Sequence, residues 1–191
     1  MIIQKYLPIN TLRRSGLKLL GVKFITAHDS GNINSTAMQN VDYFIKSANE
    51  IQASAHTFID DKDIIECIPQ TEKAYHVRRA VEVDNSIFGV DAIDCSLGIE
   101  LCSFSDIERS KLAYMAYVDY IKGLCAKYNL NPSVSVIGHY RLDPTRRNDP
   151  ITAFTLIGKT WSDFIKDLSP QPLIKTTAEK KAEIIKLINE L

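Results

Sequence analysis

Of the chain's four histidines, His28 and His139 each follow a short apolar run and open a polar stretch, and Asp149 lies on the same polar stretch as His139. Imidazole and carboxylate are ligand types that zinc accepts. Three such ligands leave a fourth tetrahedral position for solvent, the arrangement of a catalytic rather than a structural ion. On spacing alone, ordinary polar loop residues explain the same triple. Glu100 is the second residue suited to chemistry, because it is the one charge within Cys95 to Ser103. Burial disfavours an ionised carboxylate and raises its pKa, toward the range a general base needs. A buried, paired structural acid is the alternative. A structural metal would need a fourth protein ligand. The four cysteines, Cys67, Cys95, Cys102 and Cys125, sit elsewhere in the chain without C-x-x-C spacing. They read as free, mostly buried thiols.

These side chains need strand ends to hold them. Val22 to Ala27 alternates and is rich in β-formers, so a strand is expected to run into His28. Ser54 to Ile59 reads as a second strand, Asp60 to Asp63 as a hairpin turn and Ile64 to Ile68 as the returning strand. Cys95 to Ser103 and Val134 to Gly138 read as two more, the last ending at His139. Helical spacing marks Ala37 to Asn49, Asp106 to Tyr128 with Ser105 or Asp106 as cap, and Ala153 to Leu168. Asn10 or Thr11 is expected to cap a short helix that Gly21 ends. The order is that of an α/β fold with a central mixed β-sheet flanked by helices, and the hairpin makes the sheet mixed. Ligands in such sheets bind at strand ends.

Residues 1–168 are expected to form a single domain. Residues 169–172 read as a linker, and Thr177 to Leu191 as a short amphipathic helical tail. At 191 residues, with 45% hydrophobic and 24% charged, the chain has the balance of a globular protein with one core. The 23 Lys and Arg residues are matched by 23 Asp and Glu. That balance argues against a nucleic-acid binder and against electrostatic capture by anionic membranes. No apolar run approaches the ~18–20 residues of a membrane span. No charged leader and apolar core open the chain, so synthesis in the cytoplasm without a cleaved signal is expected. The oligomeric state is not set by these patterns.

Five motifs point further. Gly138-His139, then Pro144-Thr145-Arg146-Arg147-Asn148-Asp149-Pro150 and Phe154, resemble the G-H … P-x-R-K-x-D-P … F segment of zinc N-acetylmuramoyl-L-alanine amidases. That is the amidase-2 family, which includes peptidoglycan recognition proteins and phage lysozyme-like amidases. Phe24 to Ser30 resembles the first ligand strand, and Ser54 to Asp60 the S-A-H-Y/F hairpin. Ala74-Tyr75-His76 is similar to A-W-H, and Ser96 to Glu100 to S-I-G-I-E. The motifs run in the family's order from residue 22 to about residue 168.

The resemblance implies the amidase-2 fold and a Zn2+ ion held by His28, His139 and Asp149. It implies hydrolysis of the amide between N-acetylmuramic acid and L-alanine, with Glu100 moving the proton from water to the leaving amine. Peptidoglycan or a muropeptide is then the partner. Arg147 takes the place of the family's Lys, keeping the charge on a planar, larger group, either for catalysis or for binding substrate carboxylates. His56 and His76 are expected in or beside the cleft as substrate-binding residues, or as hydrogen-bonded structural histidines.

The chain departs from the family at Ala55, where phage lysozyme-like members have Tyr. It departs at Val77-Arg78-Arg79, at Ile151, and in loop 78–95, a candidate for shaping substrate preference. The pairs Arg13-Arg14 and Arg78-Arg79 read as solvated surface, or as faces for anionic wall polymer. A phage or prophage endolysin acting on the wall after holin-type release fits these features, as does an autolysin. A cytosolic muropeptide-recycling amidase and a non-catalytic wall-binding module are the alternatives.

Overall fold

Six short strands form one sheet in a computed structural model that describes residues 1–79, residues 89–169 and Ile188. In chain order the elements are β1 (Ile2–Gln4), β2 (Phe24–Asp29), α1 (Ala37–Lys46), β3 (Thr57–Ile59), β4 (Ile64–Glu66), α2 (Ala92–Cys95) and β5 (Ser96–Leu101). They continue with α3 (Ile107–Tyr128), α4 (Pro132–Ser135), β6 (Val136–Gly138), α5 (His139–Leu142), α6 (Ile151–Leu156) and α7 (Trp161–Leu168). The strand order is β1-β4-β3-β5-β2-β6. Only the β3–β4 hairpin is antiparallel; every other neighbour pair is parallel. The expected α/β fold with a central mixed sheet is therefore present.

Side chains alternate across a strand, and this assigns the helices to faces. Thr57 and Phe58 point to opposite sides. The Thr57 hydroxyl meets the Tyr120 hydroxyl of α3 at 3.1 Å, whereas the Phe58 ring packs edge-on to Phe44 of α1 at 5.2 Å. So α3 covers one face, and α1 covers the β3–β4 half of the other. The β5–β2 half of that second face is left as the floor of a cleft. Behind the sheet, Phe154 of α6 and Trp161 and Phe164 of α7 pack with Tyr114 and Tyr117 of α3, making an aromatic wedge of the main core.

The helix caps follow the sequence chemistry. Asp106 accepts from the backbone N–H groups of Glu108 and Arg109, and Thr36 closes a capping box with Gln39. The expected helix over Ala153 to Leu168 is two helices. Gly158 turns the chain at φ +69°, a region open to glycine, and Thr160 caps α7 anew. Asn131 caps the single turn Pro132–Ser135, which shortens the expected strand to Val136–Gly138.

The amino-terminal segment differs most. No helix follows Asn10 or Thr11; instead Ile2–Gln4 adds an edge strand to β4. Arg13 is not solvated surface. It is 2% exposed, lies over the Phe44 ring at 4.2 Å, and donates to the Ser47 side chain and to the carbonyls of Ser47 and Ala53. Arg14 forks onto Glu72 at 2.8 and 2.9 Å. This pair locks the leading segment onto the domain, so it is spent on the fold rather than offered to wall polymer. Arg78 and Arg79 are exposed, and Arg79 pairs with Asp94 at 3.0 Å. The four cysteines are buried thiols, as expected, and none forms a disulfide among the described residues. Residues 80–88, half of loop 78–95, and the tail from residue 170, apart from Ile188, lie outside the described residues.

Candidate metal centre and cleft

Three adjacent parallel strands, β5, β2 and β6, end together, and each delivers one residue. Glu100 of β5 is in register with His28 of β2. Gly138 of β6 is in register with Ala27, which places His139 one residue beyond the strand end, at the start of α5. The carboxyl ends of parallel strands are where such sheets bind ligands.

Asp149 is carried back to this point by its loop. The Tyr140 N–H donates to the Asp149 carbonyl at 3.1 Å. The Asp29 carboxylate, next to His28, accepts from Ala153 N–H at the start of α6. The result is a tight triad. Asp149 Oδ2 lies 2.8 Å from His28 Nδ1 and 3.0 Å from His139 Nδ1. One potential ligand atom from each of the three residues falls within 4.8 Å of the others.

Burial, reinforced by the neighbouring His139, lowers the His28 pKa to about 4, so the ring is neutral. Burial alone would raise Asp149, but the close approach of the His139 and His28 rings outweighs it and holds the carboxyl well below its usual range. Two imidazoles and an ionised carboxylate are a zinc donor set. Among the described residues no fourth His, Cys, Asp or Glu joins the group, which is the requirement of a catalytic rather than a structural ion. The residues fit a divalent cation on chemistry and spacing.

The backbone of His28 has its own support. β6 stops at Gly138, so the last residues of β2 lose their neighbour on that side. From beneath the sheet the Tyr117 hydroxyl takes the His28 N–H at 3.1 Å, and the Ile99 carbonyl accepts from it at 3.1 Å. Tyr117 was invisible as a site residue in the sequence, since on the apolar face of a long helix it reads as core.

Glu100 stands on the cleft floor with Oε2 enclosed and without a hydrogen-bond partner among the described residues. Burial pushes its pKa well above the usual carboxylate range; the charges of Asp149 and Asp29 add to this, and Arg147 opposes it. A paired structural acid would have a partner at that oxygen, so this observation favours chemistry. The cleft, about 350 Å3, is lined by His28, Glu100, His139 and Asp149, with Arg146 and Arg147 exposed at its side and Phe44 and Tyr75 among its other walls.

The two remaining histidines part company. His76 lines the cleft, yet it is only 8% exposed and its ring nitrogens face His28 Nε2 at 3.1 Å and the Ser96 hydroxyl at 3.2 Å. His56 has no exposure; its Nδ1 accepts the Gly98 N–H and its Nε2 donates to the Glu72 carbonyl, both at 3.0 Å. Both nitrogens being spent, the structure places His56 beneath the cleft as a bolt between β5 and the Glu72 turn. Gly98 explains the glycine of the Ser96–Glu100 motif. A Cβ there would lie 2.7 Å from His76 Cβ and Nδ1 and closer still to Cγ.

Known proteins resemble this chain in sequence and in fold. Residues 18–152 match the family described as N-acetylmuramoyl-L-alanine amidase, Amidase_2. The amidase BlyA of Bacillus subtilis (strain 168) is 34% identical over 153 residues, covering 76% of this chain and 41% of BlyA. The amidase CwlL of Bacillus licheniformis is 28% identical over 142 residues, covering 73% of this chain and 39% of CwlL. The chain thus spans about two fifths of the length of the curated relatives it matches. In fold, the catalytic domain of XlyA superposes with a TM-score of 0.69 at 22% identity, over 88% of this chain and 99% of that one. PlyL superposes with a TM-score of 0.70 at 23% identity, over 91% and 99%. With a matched segment that contains all three strand ends and closes on the loop of Asp149, the chain belongs to the N-acetylmuramoyl-L-alanine amidase (Amidase_2) family.

Proposed function

We propose that the chain is a zinc-dependent amidase that cleaves the amide between the lactyl group of N-acetylmuramic acid and L-alanine in peptidoglycan. The observation that carries this reading is the His28, His139 and Asp149 triad standing beside a carboxyl on the neighbouring strand end whose Oε2 is enclosed and without a partner among the described residues. His28 and His139 would hold the ion through Nδ1, with a carboxylate oxygen of Asp149, since these are the atoms that converge. A zinc ion there supplies Lewis acidity, which polarises a carbonyl and makes water easier to deprotonate.

The chain's own groups do the rest. Glu100, whose burial favours the protonated form, is placed to receive a proton from the attacking water. The same carboxyl then delivers that proton to the departing alanine amine, so one group serves both halves of the reaction. Arg147 at the cleft side supplies positive charge toward the oxyanion that develops on the scissile carbonyl, or toward substrate carboxylates. His76 occupies the inner wall and His56 supports it from below.

The likeness to the N-acetylmuramoyl-L-alanine amidases BlyA and CwlL supports the amidase activity, and a wall-lytic role as endolysin or autolysin is the reading we attach to it. Purified protein is incubated with cell walls, and new alanine amino termini are counted beside new reducing sugar ends. Amino termini alone are expected. Glu100→Ala is expected to keep its zinc and lose nearly all turnover. Wall binding without new amino termini in the zinc-loaded wild type would favour a binding module instead. Turnover only of soluble muropeptides would favour a recycling enzyme.

A further inference from the structure

We propose that His76 and Ser96 form a hydrogen-bonded relay that fixes which nitrogen of His28 faces the metal. The inference rests on reading the triad as a zinc site, and makes His76 a positioning residue rather than a substrate ligand.

The argument starts at a backbone carbonyl. The Ser96 Oγ lies 2.7 Å from the Ala92 carbonyl oxygen. A carbonyl only accepts, so the one hydroxyl proton of Ser96 is committed there. The other neighbours of Ser96 Oγ must then donate to it. They are the Thr26 hydroxyl at 3.2 Å and His76 Nε2 at 3.2 Å. His76 therefore carries its proton on Nε2. The ring is buried, and its nitrogens face an imidazole and a hydroxyl rather than a carboxylate, so nothing there compensates a charge and the ring is neutral. A neutral imidazole has one N–H, so His76 Nδ1 is a bare acceptor.

That acceptor faces His28 Nε2 at 3.1 Å, which must donate to it. His28 then presents the lone pair of Nδ1 toward Asp149 Oδ2, 2.8 Å away. Two electron-rich atoms at this distance with no proton between them are what a cation relieves. A proton on His28 Nδ1 would satisfy them only by reversing every bond back to Ala92. Each step of the relay is thus set for a metal-facing Nδ1. His139 has no such second partner, because its Nε2 is buried and has none among the described residues. The relay therefore acts on one ligand alone. Metal-bound histidines depend on such outer hydrogen bonds for orientation and basicity.

Gly98 belongs to the same device. It leaves the space that the His76 ring fills, and its N–H is the group that His56 anchors.

The test reads ring nitrogens and zinc affinity, not turnover. Long-range 1H–15N spectra of the zinc-loaded protein are expected to show His76 protonated on Nε2 alone, with the His28 Nε2 proton coupled to His76 Nδ1. A His76 proton on Nδ1, or on both nitrogens, would overturn the relay even though zinc is bound. A wild-type chain that takes up no zinc would instead overturn the metal reading, before any spectrum is recorded. Chelator competition adds two variants. His76→Leu keeps bulk without an acceptor and is expected to weaken zinc binding about 10- to 100-fold. His76→Asn keeps a carbonyl oxygen near the place of Nδ1 and is expected to recover most of that loss. Unchanged affinity in His76→Leu, or equal loss in both variants, would count against the relay. Should His76→Leu fail to fold, the wild-type spectrum decides.

Discussion

Gly98→Ala perturbs the site without touching a metal ligand or Glu100. The new Cβ would sit 2.7 Å from His76 Cβ and Nδ1. Ordinary carbon contacts begin near ~3.5 Å, so ring and strand must part by roughly 0.8 Å or more. His76 has no slack, being held at 3.1 Å by His28 and at 3.2 Å by Ser96. Overpacking of this kind costs about 1–3 kcal/mol, and each buried hydrogen bond lost adds about 1 kcal/mol. A destabilisation of about 2–4 kcal/mol follows, or roughly 5–15 °C in Tm for a domain of this size. Zinc affinity should fall with it, about 10-fold or more, through the displaced partner of His28. Thermal unfolding and chelator competition read the two effects. Gly123→Ala is the control: nothing lies within 4 Å of a Cβ at that position of α3, and alanine there should stabilise by about 0.5–1 kcal/mol. Wild-type Tm and wild-type zinc affinity in Gly98→Ala would refute the packing argument.

Other outcomes follow from the same geometry. Tyr117→Phe strands the His28 N–H and should cost about 1–3 kcal/mol, measured by denaturant unfolding; no change would mean that the hydroxyl does not hold β2. Zinc removal should lower Tm: an ion present at a thousandfold excess over its Kd contributes about 4 kcal/mol, so a chelator-insensitive melting curve would contradict the site. His56, pushed by burial to about 4 from an ordinary 6.5, stays neutral in the fold. Between pH 6.5 and 4 the unfolded chain then binds more protons there, so this contribution to stability is complete above pH 6.5 and is lost as pH falls toward 4. An NMR titration of the His56 ring with a midpoint near 6.5 would contradict its burial.

How much of this was legible in the sequence depends on what kind of fact each residue records. His28 and His139 were legible because strand ends announce themselves by an apolar run that stops at a polar turn, and Glu100 because it is the lone charge within an apolar run. Asp149 was legible through its motif, but its distance from His28 was not, since a loop's return is fixed by contacts such as Asp29 to Ala153. The break at Gly158 was missed because apolar spacing continues across it from Phe154 to Phe164, and only the glycine and the threonine cap mark the stop. Arg13 was misplaced because sequence reading puts charge outside, and an aromatic face and three carbonyl or hydroxyl oxygens two elements away were needed to hold it inside. His76 was recognised as near the cleft, yet its partner Ser96 is an ordinary strand residue until the loop that carries His76 packs against β5 and puts them together.

The most direct test of the central claim is anomalous diffraction at the zinc edge from crystals of the zinc-loaded protein. The account predicts one peak bonded to Nδ1 of His28, Nδ1 of His139 and a carboxylate oxygen of Asp149, with solvent completing the shell. A peak elsewhere, or a fourth protein ligand closing that shell, would contradict it.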